Sequence, residues 1–363
     1  MAAFDVDLLY LFRLLFDRPK TLQRLLTHFS SAEAVFNAPR DEIVGLFRLD
    51  IEALSQARET FQVDVEMDIA WLKERDHHLI SIDQPDYPAL LREIHDAPVL
   101  LFACGDRSAL EKHCIAMVGS RSPTRTGIAN AQLLAGQLSS VGLTIVSGMA
   151  LGIDAACHEG ALLAGAKTIA VLGTGCEIVY PARHQSLAHE IARQGLLLSE
   201  FPLRVRAAPY HFPRRNRVVT GLSLGTIVVK AALKSGSLIS ARCAMEQGRE
   251  VFAIPGAINN RYSRGCHQLI RDGATLVENA QDVLDQLSFV ADRALSIPPA
   301  ESLTVHQQLV ESILDSEPQS VDQLEAQLSL SIDEVLCALV ELEVIGLVAQ
   351  ERGGYIGLKP DDV

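Results

Sequence analysis

The chain has 363 residues, 48% hydrophobic and 21% charged, with a formal net charge of −13, which is the make-up of an ordinary globular protein with room for two or three domains. No apolar run approaches bilayer-spanning length, and the opening MAAFDVDLLYLFRLLF carries acids where a secretory signal would carry bases, so neither a membrane span nor a signal peptide is expected. Seven dispersed cysteines, with no CxxC and no zinc-finger spacing, argue against a disulfide framework or a zinc module and suit a reducing cytoplasm.

Residues 1–78 read as a small helical domain. VDLLYLFRLLF, TLQRLLTHF, SAEAVFN, DEIVGLFRL, IEALSQARETF and MDIAWLKERDH repeat their apolar residues at three and four positions, and Ser or Asp precedes several of the runs. The pattern changes at residue 79. HLISI, VLLFACG, CIAMVGS, LTIVSG, TIAVLG, LLLSE, TIVVKA and EVFAIPG are short, continuously apolar runs, most of them ending at Gly or Ser, with helical stretches between many of them. That alternation predicts an α/β domain over 79–295, a parallel sheet with helices on both faces. A linker is expected at 296–305. After it, three helical stretches and a Gly-Gly turn over 303–358 suggest a winged helix. Its third helix carries Asp333, Glu334, Glu341 and Glu343 and no base, so a phosphate-lined groove would repel it and protein contact is the expected use.

The negative charge sits at the ends. Residues 1–84 hold 9 basic and 15 acidic side chains, 85–299 hold 21 and 17, and 300–363 hold 2 and 13. The middle is mildly basic, and 204–217 carries five arginines with no acid. Salt screens the distant acids, so such a patch attracts phosphate at short range.

Four segments carry the candidate chemistry: VGSRSPTRTG (118–127), SGMALGID (147–154), LGTGCE (172–177) and SGSLIS (235–240). Each is read as a turn from strand to helix, all on the carboxyl edge of the sheet, where free N–H groups and glycine suit an anion. The candidate ligands are Gly119, Ser120, Arg121, Ser147, Gly148, Gly173, Ser235, Gly236 and Ser237. Tight turns use Gly and Ser for structural reasons too, so the weight lies in finding four on one edge. The dinucleotide fingerprint fails, because GTGCEI lacks its third glycine and Glu200 is poorly placed for a ribose. A P-loop fails because GALLAGAKT has an extra residue and precedes a strand. No cofactor and no metal are expected.

In HFPRRNRVVTGL (211–222), Phe212 can stack on a base, Arg214, Arg215 and Arg217 can meet successive phosphates, and Asn216 can bond a sugar or base edge, as a single-strand binder requires. The competing reading packs Phe212 in the core and pairs the arginines with carboxylates of the chain itself. Asp154 and His158 share a helix face and can form a metal or acid–base pair. The simpler reading is a helix-capping Asp and a locally bonded His. No catalytic residue is assigned.

IAMVGSRSPTRTG, IVSGMALGIDAACHEGAL, TIAVLGTGCEIVYP, LLLSEFP, HFPRRNRVVTGLS, SGSLISA, GREVFAIPG and GCHQLIRDGATLV occur in order over about 115–278. Together they closely resemble the bacterial DNA-processing protein A family (DprA/Smf). The resemblance implies an extended Rossmann-like core flanked by a SAM-like helical domain and a winged helix. It also implies single-stranded DNA binding, homodimerisation, and delivery of the strand to a RecA-type recombinase in transformation or recombination, without catalysis. In that family the arginine of GSR and the aromatic and basic residues of FPxRNR meet DNA, which here are Arg121, Phe212, Arg215 and Arg217. A lysine three residues before the phenylalanine contributes in some members. Here that position is Pro209, which leaves Arg204, Arg206 or Arg214 to take its part. Lys230 stands where a glutamate is usual, and His184 where Asn is common. The segment 265–287, with Leu269, Ile270 and Leu276, is the expected dimer surface. The alternative function is a Rossmann-like hydrolase of nucleoside monophosphates, for which GTGCE lacks the usual glycine–glutamate spacing.

Overall fold

The computed structural model describes residues 5–287 and parts of 319–357, which fall in two compact units, 1–295 and 296–363. The first unit begins with six helices: α1 (Val6–Leu15), α2 (Pro19–Phe29), α3 (Ala32–Asn37), α4 (Arg40–Phe47), α5 (Ile51–Thr60) and α6 (Gln62–Leu72). Their starts follow local chemistry. Asp5 accepts the N–H of Leu8, Ser31 that of Ala34 and Asp50 that of Glu52, while Pro19 opens α2, where its missing N–H costs nothing.

The elements that follow are β1 (His77–Ser81), α7 (Ala89–Arg92), β2 (Leu100–Gly105), β3 (Cys114–Gly119), α8 (Arg125–Ser140), β4 (Thr144–Ser147), α9 (Ile153–Leu163), β5 (Thr168–Val171), α10 (Gln185–Gln194) and β6 (Leu196–Ser199). After them come α11 (His211–Gly221), β7 (Gly225–Lys230), α12 (Ser237–Glu246), β8 (Glu250–Ala253), α13 (Arg264–Arg271), β9 (Thr275–Leu276) and α14 (Ala280–Gln286). The strands form one nine-stranded sheet in the order β1-β2-β6-β5-β4-β3-β7-β8-β9. It is parallel from β6 to β9, and β1 and β2 are added antiparallel at one edge.

Successive residues of a central strand feed opposite faces. Leu196 and Leu198 join one core cluster and Leu197 the other, which is why these strands read as unbroken apolar runs. The second cluster extends into the N-terminal helices, where the ring of Phe12 lies 6.1 Å from that of Phe102. A buried ionic bolt reinforces the contact. Asp68 of α6 accepts two hydrogen bonds from Arg13 of α1, at 2.7 and 2.5 Å, and one from Arg204 of the β6–α11 loop at 3.3 Å.

The chain builds outward from β3 through β4, β5 and β6, then returns to add β7 on the other side of β3. The topological switch point therefore lies between β3 and β7, where an open α/β sheet has its ligand crevice at the carboxyl ends of the strands.

In the second unit the described elements are α15 (Val321–Leu328) and a hairpin of β10 (Val348–Glu351) and β11 (Gly354–Gly357) around a core of Leu324, Val335, Leu339 and Val348. The acidic residues Asp333, Glu334, Glu341 and Glu343 lie outside the described residues. No helix among the described residues is long and apolar enough to cross a membrane.

Candidate nucleic-acid interface

Three loops at the carboxyl edge and the start of α11 enclose a cavity of about 70 Å³, lined by Arg121, Met149, Ala150, Leu151, Gly173, Tyr180, Pro181, Phe212 and Arg215. The sequence candidates Arg121, Gly173, Phe212 and Arg215 converge here from three separate segments. Phe212 is half-buried on the first turn of α11, 5.5 Å from the ring of Tyr180. Gly173 lies under it: a Cβ there would stand 2.9 Å from Phe212 Cδ1, so only glycine lets the ring settle. The Gly173 carbonyl also bonds the ring of His211 at 3.2 Å, fixing the start of α11 against the β5 loop. Arg121 is exposed, with its guanidinium carbon 5.6 Å from the Phe212 ring centre.

Arg215 is only 5% exposed and forms the floor. It donates to the Val171 carbonyl and, at 3.2 Å, to the side-chain oxygen of Asn216. Burial lowers its pKa, and the nearby carboxylate of Asp154 opposes that. Asp154 is buried as well. Its carboxyl is pushed up by burial and held down chiefly by Arg215. Gly148 separates the two groups, and any Cβ there would strike both the guanidinium and the carboxylate.

His158 locks this turn from beneath. It is fully buried, and burial lowers its pKa to about 4. The neutral ring donates from Nε2 to the Gly148 carbonyl at 2.7 Å, so Nδ1 is the acceptor facing the Thr168 hydroxyl, also at 2.7 Å. That hydroxyl has one proton to share between Nδ1 and the Ile145 carbonyl at 2.8 Å. Asp154 is not the helix cap. It lies inside the first turn of α9, behind Gly152 at φ +81°, and reaches back to the N–H of Ala150 at 3.4 Å. Among the described residues, no cluster of His, Cys, Asp or Glu is arranged to hold a metal.

The three arginines of 211–222 part company because they lie on a helix. Arg214 and Arg217, one turn apart, converge on Glu200 Oε2 behind the cavity. Arg214 binds it at 2.9 Å and also stacks on Phe201 at 5.0 Å. Arg217, 7% exposed, binds the same oxygen and reaches Asp96 at 3.3 Å. In this state the pair satisfies the competing reading, with carboxylate partners from the chain itself, and the picture of three arginines on successive phosphates does not fit. Ser147 is buried and spends its hydroxyl proton on the Met117 carbonyl at 2.6 Å, so it is not presented to a ligand. Arg204 is committed to Asp64 and Asp68, which leaves Arg206 as the exposed arginine of that loop.

Gly119 ends β3 at the switch point, and Ser120 follows it. The Ser120 N–H donates to the Lys230 carbonyl at 2.8 Å, and its hydroxyl accepts the N–H of Ser122. Ser235, Gly236 and Ser237 open α12 after β7, with the two hydroxyls 2.7 Å apart. The 172–177 segment does not open a helix directly, since α10 starts only at Gln185. Glu177, the carboxylate a hydrolase reading needs, is taken by the backbone N–H of Arg204. At the proposed dimer segment Leu269 is core, and Leu276 on edge strand β9 is 43% exposed. Sequence reasoning missed Tyr180 and Met149 as cavity walls. Tyr180 carried one signal, an aromatic placed before a proline in a loop between strand and helix.

The model for DNA recombination-mediator protein A matches residues 78–288, and the model for the DprA winged helix domain matches 295–354. Protein Smf of Escherichia coli is 40% identical over 303 residues, covering 81% of each chain. The DNA processing protein DprA of Streptococcus pneumoniae is 47% identical over 209 residues, covering 58% of this chain and 74% of that one. The X-ray structure of DprA from Streptococcus pneumoniae superposes with a TM-score of 0.70 at 36% identity, covering 79% of this chain and 99% of that one. DNA processing protein A from Helicobacter pylori, solved in a study of its single-stranded DNA binding mode, superposes with a TM-score of 0.53 at 32% identity, covering 58% and 96%.

Proposed function

The chain belongs to the DNA recombination-mediator protein A family, the DprA/Smf proteins, and on that premise we propose that it binds single-stranded DNA at the Arg121–Phe212 cavity and hands the strand to a RecA-type recombinase. One observation carries the reading: an exposed guanidinium lies over a half-buried aromatic ring at the mouth of a cavity, and among the described residues no salt bridge neutralises it. An aromatic face takes any base and a free cation takes the phosphate beside it, which is the chemistry of sequence-tolerant strand binding. Arg215 and Asp154 act from below as a fixed floor, and the glycines at 148 and 173 allow the close approach. The Helicobacter pylori relative, described for its single-stranded DNA binding mode, supports the same ligand here.

The protein acts in this reading as a carrier rather than a catalyst. Its parts are a helical domain over 1–78, the DNA-binding core over 79–295 and the winged helix over 303–358. Two copies would pair through 265–287, with Leu276 on edge strand β9 the exposed apolar contact. The deciding experiment is equilibrium binding of a single-stranded oligonucleotide as a function of salt, wild type against Arg121→Ala. Tight, salt-sensitive binding that weakens in the variant supports the reading. Absence of binding, or equal affinity for duplex DNA, overturns it.

A further inference from the structure

The switch point holds a second group of cations. Lys230 closes β7, in register with Gly119 of β3. Its half-buried side chain runs over the first turn of α8, with Cδ 3.1 Å from where a Cβ on Gly127 would stand. Nζ donates to the Thr124 hydroxyl at 2.6 Å, an oxygen that already caps α8 by accepting the N–H of Gly127. Among the described residues Lys230 has no salt bridge, and the first turn of α8 contains no acid. Arg125 instead takes the first helical position and Arg121 the loop before it, both exposed.

Lys230 thus bonds the capping residue of a helix whose own dipole is positive at that end, with Arg121 in the loop before it and Arg125 at its first position. Burial holds the Lys230 ammonium below the usual lysine range. Other half-buried and buried cations are paired, Arg214 and Arg217 on Glu200 and Arg13 and Arg204 on Asp68, while buried Arg215 bonds neutral partners with the Asp154 carboxylate nearby. Among the described residues, the direct side-chain hydrogen bond of Lys230 is to a neutral hydroxyl.

We infer that Lys230, Thr124 and Arg125 form a phosphate subsite beside the Arg121–Phe212 cavity, taking a phosphodiester of the same bound strand. The inference rests on the single-stranded DNA reading above. The subsite and the cavity share the loop 120–124, with Arg121 near one end and Thr124 at the other, so one strand can occupy both. The Lys230 ammonium supplies charge and N–H donors to the phosphate. The Thr124 hydroxyl, whose oxygen is engaged as an acceptor, still has its own proton to donate.

The test is equilibrium binding of a fluorescent oligothymidylate by the full chain across a salt series, with Lys230→Gln, Lys230→Arg and Arg121→Ala, and thermal melting of each without DNA. Lys230→Gln is expected to weaken binding roughly 3- to 10-fold near 0.1 M salt and to make the log–log salt slope shallower by about 0.7, one phosphate contact. Lys230→Arg keeps both properties near wild type. The DNA-free melting temperature of Lys230→Gln does not fall, because the variant removes an unneutralised cation and keeps a donor for Thr124. If wild type binds and Arg121→Ala weakens, but Lys230→Gln matches wild type in affinity and slope, the subsite is refuted and the functional reading stands. Loss of affinity accompanied by a lowered melting temperature also refutes it, assigning Lys230 to the fold. If wild type does not bind, both readings fall.

Discussion

Arg121 and Phe212 belong to different segments of the chain, and the fold stacks the guanidinium carbon of one 5.6 Å from the ring centre of the other. The two should fail differently. Arg121→Ala makes the log–log salt slope for a single strand shallower by under one unit, since it removes one contact worth about 0.7. Phe212→Ala costs roughly 1–3 kcal/mol of binding with little change in slope, because stacking releases no counterions. Salt titration of both variants and the double variant checks this, and a coupling of about 0.5–1 kcal/mol is expected from the cation–π contact.

Arg217 should behave as a residue of the fold. It and Arg214 share one oxygen of the buried Glu200, whose other oxygen has no hydrogen-bond partner among the described residues. Arg217→Ala leaves that carboxylate short of a partner, so destabilisation of about 3–5 kcal/mol is expected, with the salt slope unchanged. Chemical denaturation and DNA titration of the same preparation separate the two effects. A change in slope at full stability would place Arg217 on the DNA.

Gly148→Ala tests the floor of the cavity. The added methyl overlaps both the Arg215 guanidinium and the Asp154 carboxylate, groups held rigidly by Val171, Asn216 and Ala150. Binding should fall at least tenfold, with destabilisation of about 1–3 kcal/mol from the overpacking. Gly45→Ala on α4 is the control, since nothing lies within 4 Å of a Cβ there.

His158 sets an acid limit on stability. Its folded pKa of about 4 lies below the ordinary 6.5. Above 6.5 both folded and unfolded forms are neutral, and the native contacts stand at full value. As pH falls toward 4 the unfolded chain takes up a proton that the folded protein refuses, so stability is lost through that window, by up to about 3 kcal/mol. Urea unfolding at a series of pH values should show this loss, and His158→Gln should flatten it while lowering stability near neutrality.

Removal of 300–363 should leave single-strand affinity within about a factor of two, because the cavity and the Lys230 cluster lie wholly within 119–230. That segment holds 13 acids against 2 bases, so its loss removes repulsion, which is screened beyond about 8–10 Å at ordinary salt. Titration of the truncated chain measures it, and a large drop in affinity would give the winged helix a direct part in DNA binding.

Most of the architecture is legible in the linear chain. All six front helices follow from three-and-four spacing, and the strands β1 to β8 from short apolar runs, most of which end at Gly or Ser, because the parallel strands β3 to β8 are buried on both faces and admit little else. The two-residue β9 is too short to leave a pattern of its own. The anion-suited edge and the residues Arg121, Gly173, Phe212 and Arg215 follow from turn chemistry and residue type together. The partners of each charge do not. Glu200 meets Arg214 and Arg217, Asp68 meets Arg13 and Arg204, and Lys230 meets the Thr124 hydroxyl, through approaches between elements distant in the chain. Residue type and periodicity are local quantities, so composition and spacing determined the layers of the fold and the candidate rim. The neutralisation of a cation depends on distances across the packed interior, and only the tertiary structure decided which arginines are paired within the protein and which cations have no salt bridge among the described residues.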